Sequence, residues 1–127
     1  MKILRIVAVA LALTLMFGEL YRSWGAGRPI YAWLDDQIMG AALIAGSWLM
    51  AKPTAQRHAF FAAAWAFNAG MLYPSFFNKL FDPQSSNPGN FDIGFLTLAI
   101  GVLFVVSIVG TIVCLSLAHS NEERLLS

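Results

Sequence analysis

Residues 93–118 read IGFLTLAIGVLFVVSIVGTIVCLSLA, a run of 26 residues without a charged side chain. A helix rises about 1.5 Å per residue, so this run would extend about 39 Å. The hydrocarbon core of a bilayer is about 30 Å thick, and about 20 apolar residues cross it. The run therefore predicts a membrane-spanning helix that tilts or protrudes from the bilayer.

Three further apolar stretches precede this run, at about residues 3–24, 30–51 and 57–77. The second has an uninterrupted apolar run of only 14 residues, 38–51. To span a bilayer it must also include Asp35 and Asp36, and a re-entrant or core helix is the alternative. Short connections, one containing Pro53, separate the stretches. We predict an all-α fold with a single membrane domain over 1–127, an integral membrane bundle of four transmembrane helices.

The composition points in the same direction. The 127 residues are 58% hydrophobic and 12% charged, with a mean hydropathy of +0.66. A soluble domain averages about 25% charged residues, so an ordinary soluble enzyme is excluded. A net charge of +1 excludes a nucleic-acid-binding protein. The only cysteine, Cys114, excludes a disulfide framework and a cysteine zinc site. No metal, cofactor or catalytic residue is predicted, because no known motif for one is present.

Lysine and arginine residues give an orientation, because cytoplasmic segments of membrane proteins carry an excess of them. With four spans, both termini lie on one side with Lys2, Arg5, Lys52, Arg57 and Arg124, and the other side holds Arg22, Arg28 and Lys79. Both termini are therefore predicted to be cytoplasmic. The first stretch lacks the small-residue cleavage site of a signal peptide, so we expect it to remain as a helix. The short loops and the lack of an Asn-x-Ser/Thr sequence are compatible with a bacterial inner membrane.

Small residues spaced four apart predict the faces on which the helices pack. Helices in lipid associate by close van der Waals contact, which small side chains permit. The predicted contact residues are Ala42, Gly46, Ala62, Ala66, Gly70, Thr97 and Gly101. The pattern predicts a tight bundle with spans two and three in close contact. The same faces would equally suit a partner subunit or self-association.

A charged cluster is the first candidate site. Glu19 and Arg22 share one helical face, and Asp35 and Asp36 open the second span. If the chain has four spans, all four of these residues lie near the outer membrane surface. Ionisable residues within a bilayer indicate a functional site. One interpretation is a proton, cation or polar-ligand site. The other is an interfacial salt-bridge network, in which Arg22 or Arg28 neutralises the carboxylates.

Asn68 and Tyr73, both in the third span, are the second candidate. A mid-membrane amide usually forms a hydrogen bond to a neighbouring helix. The alternative is a ligand pocket between Trp65, Asn68, Tyr73 and the acidic cluster. The histidines, His58 and His119, fall at span ends, where we expect water to reach them.

The favoured functional hypothesis is a small non-catalytic membrane protein, an accessory, assembly or stabilising subunit of a larger membrane complex. The segments outside the spans are too short to form domains, and the small-residue faces suit helix association. A small oligomeric transporter, coupled to protons or cations through Glu19, Asp35 and Asp36, is the first alternative. A membrane-embedded lipid- or quinone-binding protein is the second. The expected partners are the lipid bilayer and other membrane subunits.

Overall fold

A computed structural model of the chain describes residues 2–25, 30–82, 84 and 91–126, with the backbone alone at 30–33 and 118–126. These residues form four α-helices, α1 (Lys2–Ser23), α2 (Ile30–Leu49), α3 (Ala55–Phe81) and α4 (Ile93–Leu126). No strand occurs among the residues described. The prediction of an all-α chain with four helices is confirmed.

Two helices are longer than the sequence predicted. α3 continues four residues beyond the expected end at 77 and carries Lys79 with it, and α4 reaches Leu126 rather than 118. Hydropathy marks only the apolar part of a helix, whereas Lys, Glu and Arg continue a helix as readily as Leu does. α2 includes Asp35 and Asp36, as its predicted bounds required.

The connection between α2 and α3 is short and well capped. Thr54 is the N-cap of α3, and its hydroxyl accepts a hydrogen bond from the Arg57 backbone N–H at 3.2 Å. The Arg57 guanidinium donates to the Leu49 and Lys52 carbonyl oxygens at 3.2 and 3.0 Å, where α2 ends. Both helix ends thereby gain partners for groups that a helix leaves unsatisfied. The two helices are antiparallel neighbours as a result.

The helices pack in chain order, α1 with α2, α2 with α3 and α3 with α4, whereas α1 and α4 contact each other only sparsely. Hydrogen bonds link α1 to α2 near both ends. Arg5 Nε donates to the Ser47 carbonyl oxygen at 2.8 Å, and Ser47 Oγ donates to the Arg5 carbonyl oxygen at 3.1 Å. Gln37 donates to the Met16 carbonyl oxygen at 3.0 Å. The bundle is therefore closely packed between consecutive helices and has a looser seam between α1 and α4.

Large side chains on α3 form the centre of the bundle. The fully buried residues of this face are Phe61, Trp65 and Asn68, with Leu72 nearly so. The Trp65 indole lies directly on the α4 backbone at Gly110, where an added Cβ would be 2.5 Å from Cζ3. A glycine is required there for the two helices to approach this closely.

Some of the predicted small residues do form helix contacts. Gly46 lies against Phe61, so α2 and α3 touch as predicted, and Gly101 of α4 lies against Phe76 of α3. Ala62 is buried. Ala42 and Thr97 are half-buried.

The rest of the α3 stripe does not pack within the bundle, which leaves a partner subunit or self-association as its predicted role. Ala66 is exposed, and a Cβ added at Gly70 would meet no atom within 4 Å. The large residues at 61, 65, 68 and 72 determine which face α3 buries, because their apolar area is greater. Ala66 and Gly70 lie on the opposite, exposed face.

Among the described residues, two helices are long and apolar enough to cross a membrane, Lys2–Ser23 and Ile93–Leu117. The other two carry more polar residues, among them Asp35 and Asp36 in α2, and Arg57 and Lys79 in α3. The four-helix architecture is therefore established, and the membrane-spanning role of the helices stays a prediction.

Candidate functional site

A polar cavity of about 160 Å³ lies at the end of the bundle where α1 and α3 end and α2 begins. Its polar lining residues are Glu19, Arg22, Asp35, Asp36, Ser75 and Lys79. The structure thus brings together the four charged residues of the predicted cluster, and adds two from α3. Arg28, also considered for the salt-bridge network, lies outside the described residues.

The last two turns of α1 supply a buried ion pair to the cavity. Arg22 Nη1 lies 3.5 Å from Glu19 Oε2, and both side chains are nearly fully buried. The spacing of three residues places them on one helical face. Ser23 Oγ donates a hydrogen bond to Glu19 Oε1 at 3.1 Å. Removing either charge would leave the other buried with less compensation, so the pair has a strong structural role.

α2 adds two more carboxyl groups. Asp36 is half-buried and makes a side-chain hydrogen bond with Glu19, whereas Asp35 is exposed at the edge of the cavity. The carboxyl groups of Asp36 and Glu19 therefore lie next to each other, one on each helix.

α3 contributes a buried cation that the sequence analysis placed in a loop. Lys79 is only 7% exposed, and its Nζ donates to Ser75 Oγ at 3.1 Å. Successive helical residues are rotated by about 100°. Ser75 and Lys79 follow Asn68 by seven and eleven residues, so all three lie within about 20° of one direction. This periodicity was the signal in the sequence that could have predicted both residues.

An apolar cleft borders the cavity and lies along the seam between α1 and α4. It encloses about 230 Å³ and shares Glu19, Arg22 and Asp36 with the polar cavity. The rest of its wall is largely apolar and includes Gly18, Phe91, Phe95, Leu96, Ala99 and Leu103. The site therefore has a charged part and an apolar part that border the same three side chains.

A second apolar cleft, of about 450 Å³, lies along the other half of the same seam. Its wall includes Leu4 and Val7 from α1 and Val106, Val109 and Gly110 from α4. The loose contact between α1 and α4 thus leaves space along much of the length of both helices.

Asn68 serves mainly as a link between helices. It is fully buried, and its amide nitrogen donates to the Met39 carbonyl oxygen of α2 at 3.3 Å and to the Ala64 carbonyl oxygen at 2.9 Å. Its Oδ1 and the Trp65 Nε1 have no hydrogen-bond partner among the described residues. The cross-helix interpretation of Asn68 fits this geometry.

Tyr73 does not belong to the cavity. It is exposed, and its ring lies 4.9 Å from that of Phe77 and 5.9 Å from that of Phe104. Five residues rotate a helix by about 140° beyond one full turn, so Tyr73 points away from Asn68. The predicted pocket between Trp65, Asn68, Tyr73 and the acidic cluster is therefore not formed.

The histidine at the start of α3 is also placed differently from the prediction. His58 is buried, and its Nε2 lies 2.8 Å from the Cys114 carbonyl oxygen of α4. A carbonyl oxygen only accepts, so Nε2 carries the hydrogen of this bond. His58 therefore joins α3 to α4 rather than facing water. The side chain of His119 lies outside the described residues.

No protein-family model, curated protein or solved structure matches this chain. The roles of its residues therefore follow from their own geometry. Over the described ranges, no group of three His, Cys, Asp or Glu side chains is placed to hold a metal ion. The paired cavity and cleft between α1 and α4 are the most developed candidate site.

Proposed function

We propose that this chain is a multi-pass membrane protein that holds an amphiphilic molecule, of the lipid or quinone class, at the seam between α1 and α4. The core helix of a soluble protein is mostly buried, but only 22% of the apolar window in α4 is buried within this chain, and 28% of that in α1. Phe95, Leu98 and Val102 are among the exposed apolar residues of α4. A bilayer would cover this surface, which is too extensive for a monomer in water.

The polar residues of α2 and α3 fit the same proposal. Ionisable residues in membrane helices face the bundle interior and pair with one another. Asp36 and Lys79 both line the cavity inside the bundle. We propose that α2 and α3 also span the bilayer, with both termini in the cytoplasm, and that the membrane is a bacterial inner membrane. The cavity then lies at the outer membrane surface, at the depth of lipid head groups.

The observation that carries the proposed function is the set of charged side chains that the polar cavity and the apolar cleft share. A binding site for a small molecule is typically a mostly apolar concavity with a few polar groups that fix orientation. Here the polar groups, Glu19, Arg22 and Asp36, stand at one end of the cleft and belong to both spaces. A molecule with a polar head and an apolar tail matches this division.

A pair of glycine variants tests the proposal. Gly18 lines the cleft, and a Cβ added there meets no atom within 4 Å, so Gly18→Leu would fill the cleft without displacing a neighbour. Gly70→Leu is the matched control, because Gly70 has equally open space but lies outside the cleft. We expect native mass spectrometry in mild detergent to detect one bound amphiphile on the wild type and on Gly70→Leu.

Gly18→Leu should lose the bound molecule while remaining folded. Equal retention by Gly18→Leu and the wild type would contradict a site in the cleft. A wild-type chain without any bound amphiphile would contradict the function itself.

The second candidate function is that of an accessory subunit in a larger membrane complex. One specific observation favours it, a row of small residues along the exposed face of α3 at Ala59, Ala63, Ala66 and Gly70. Such a row lets the backbone of another membrane helix approach closely. The partner would be another subunit or a second copy of the chain.

The same two variants separate this function from the first. Gly70→Leu projects a large side chain from the exposed face of α3 and should release a partner that docks there, whereas Gly18→Leu should not. Affinity purification from the native membrane, followed by mass spectrometry, measures the partner's stoichiometry. A wild-type chain that purifies without any stoichiometric protein would contradict the accessory function.

A further inference from the structure

We propose, on the basis of the proposed amphiphile site, that the bound molecule is a glycerophospholipid whose zwitterionic head group carries a primary ammonium. The head group of the phosphoethanolamine class has this chemistry. Three features of the cavity support this head group: the charges that line it, their positions, and a described wall without aromatic rings.

The cavity presents both signs of charge within about 160 Å³. Glu19, Asp35 and Asp36 supply carboxyl groups, and Arg22 and Lys79 supply cations. Three carboxyl groups and two cations therefore face one small space, so charges of both signs lie side by side in it. A cavity with separated charges of both signs is complementary to a head group with separated charges of both signs.

The cations are suited to a phosphate. Arg22 offers a planar guanidinium, which recognises phosphate oxygens through paired hydrogen bonds. Lys79 lies on a different helix from Arg22 and also lines the cavity, so the two can approach a phosphate from two sides. Ser75 adds a hydroxyl beside Lys79. A quinone ring carries no charge that would complement either cation.

The carboxyl groups distinguish among phospholipids. A primary ammonium donates three hydrogen bonds, and Asp35, Asp36 and Glu19 supply acceptor oxygens. An anionic phospholipid without an ammonium would place its phosphate close to these carboxylates, which repel it. Exposed Asp35 stands at the edge of the cavity, where the ammonium would enter.

The cavity wall does not favour the quaternary ammonium of a phosphatidylcholine head group. A trimethylated ammonium donates no hydrogen bond and is typically bound by aromatic rings. The described lining of the polar cavity contains no Phe, Tyr or Trp, and its apolar members are Leu15, Met39, Met71, Leu72 and Ile100. The aromatic residues Phe91 and Phe95 line the adjoining apolar cleft instead.

The tail direction is consistent with this assignment. Glu19, Arg22 and Asp36 border both spaces, so a head group held there has its acyl chain at the mouth of the α1–α4 cleft. Thr14, Gly18 and Ala99 give the cleft wall small side chains. A chain of CH₂ groups can lie against them and be buried from the surrounding lipid.

The test uses the full chain in vesicles of equal parts phosphatidylethanolamine, phosphatidylcholine and phosphatidylglycerol. The protein is extracted in mild detergent, and the lipids it retains are measured by mass spectrometry. We expect phosphatidylethanolamine to be enriched about tenfold over phosphatidylcholine, since hydrogen bonds between charged groups have that effect on affinity. The comparison of lipids on the wild type requires no variant.

Variants of the cavity assign the preference to its residues. The Asp35→Asn, Asp36→Asn double variant should lose the preference for phosphatidylethanolamine and retain more phosphatidylglycerol. Asp82→Asn is the matched control, because Asp82 is exposed and does not line the cavity. Lys79→Gln should lower the retention of all three phospholipids without changing the ratio of phosphatidylethanolamine to phosphatidylcholine.

The outcomes separate this inference from the proposed function. Equal retention of the three lipids, or preference for phosphatidylcholine or phosphatidylglycerol, would overturn the head-group assignment and leave the amphiphile site standing. Retention of a quinone in place of a phospholipid would do the same. A chain that retains no amphiphile, or whose retention is unchanged in Gly18→Leu, would overturn both. If the double aspartate variant does not fold, the wild-type lipid ratio decides.

Discussion

Replacement of Gly110 by alanine should loosen the contact between α3 and α4. An added Cβ would lie 2.5 Å from Trp65 Cζ3 and 2.7 Å from Cδ2. Carbon atoms in ordinary contact are about 3.5 Å apart, so the ring or the helix must move by about 1 Å. Trp65 is fully buried and therefore has little room to move.

The magnitude follows from two opposing effects. Overpacking of a well-packed core costs about 1–3 kcal/mol. Replacement of glycine by alanine inside a helix gains about 1 kcal/mol. Gly110→Ala should therefore lower the free energy of unfolding by about 0–2 kcal/mol.

Gly70→Ala is the control for this prediction, because Gly70 is also inside a helix but has open space around it. It gains the helix propensity without the clash, so the two variants should differ by about 1–3 kcal/mol in unfolding free energy. Equilibrium unfolding in mixed micelles with increasing SDS measures this difference. Equal shifts in the two variants would refute the close approach of Trp65 to α4.

Three further predictions concern buried groups. Asn68→Leu loses the bond to the Met39 carbonyl oxygen, worth about 0.6 kcal/mol, but also removes an unpaired buried oxygen that costs about 1–3 kcal/mol. The variant should therefore be as stable as the wild type or up to about 2 kcal/mol more stable in SDS unfolding, and clear destabilisation would contradict this. Ser47→Ala removes the bond to the Arg5 carbonyl oxygen and should cost about 1 kcal/mol in the same assay, with no loss meaning that the link is not formed. Cys114 is fully buried, so a maleimide should label it slowly in the folded chain and rapidly after SDS unfolding, and equal rates would place it on the surface.

The helices could be predicted from the sequence because the patterns that indicate them are local. The uncharged run at 93–118 predicts α4, and the turn at Pro53 predicts the break between α2 and α3. The position of Asp35 and Asp36 inside α2 followed from the length that a span needs. Each of these conclusions depends on residues close together in the chain.

The buried face of α3 was harder to predict from the sequence, because it depends on the side chains of the other helices. Spacing by four residues was equally compatible with contact through Ala66 and Gly70 or through Trp65 and Asn68. The structure selects the second face, since the larger side chains bury more area and fill the bundle centre.

For the same reason, only part of the candidate site could be predicted from the sequence. Glu19, Arg22, Asp35 and Asp36 could be assigned to one end of the bundle by counting spans. Lys79 was missed because it follows the apolar part of α3, and a hydropathy limit at 77 separates it from the helix. The cleft could not be predicted, since it arises from the sparse contact between α1 and α4.

Cross-linking with a photoreactive phospholipid is the most direct test of the central claim. A phosphatidylethanolamine with a diazirine near the start of one acyl chain would be present at low fraction in vesicles that contain the full chain. We expect cross-links concentrated at residues 14–22 and 91–103, which form the walls of the cleft. These cross-links should be lost in Gly18→Leu. Cross-links spread evenly over the exposed faces of α3 and α4, unchanged in Gly18→Leu, would contradict it.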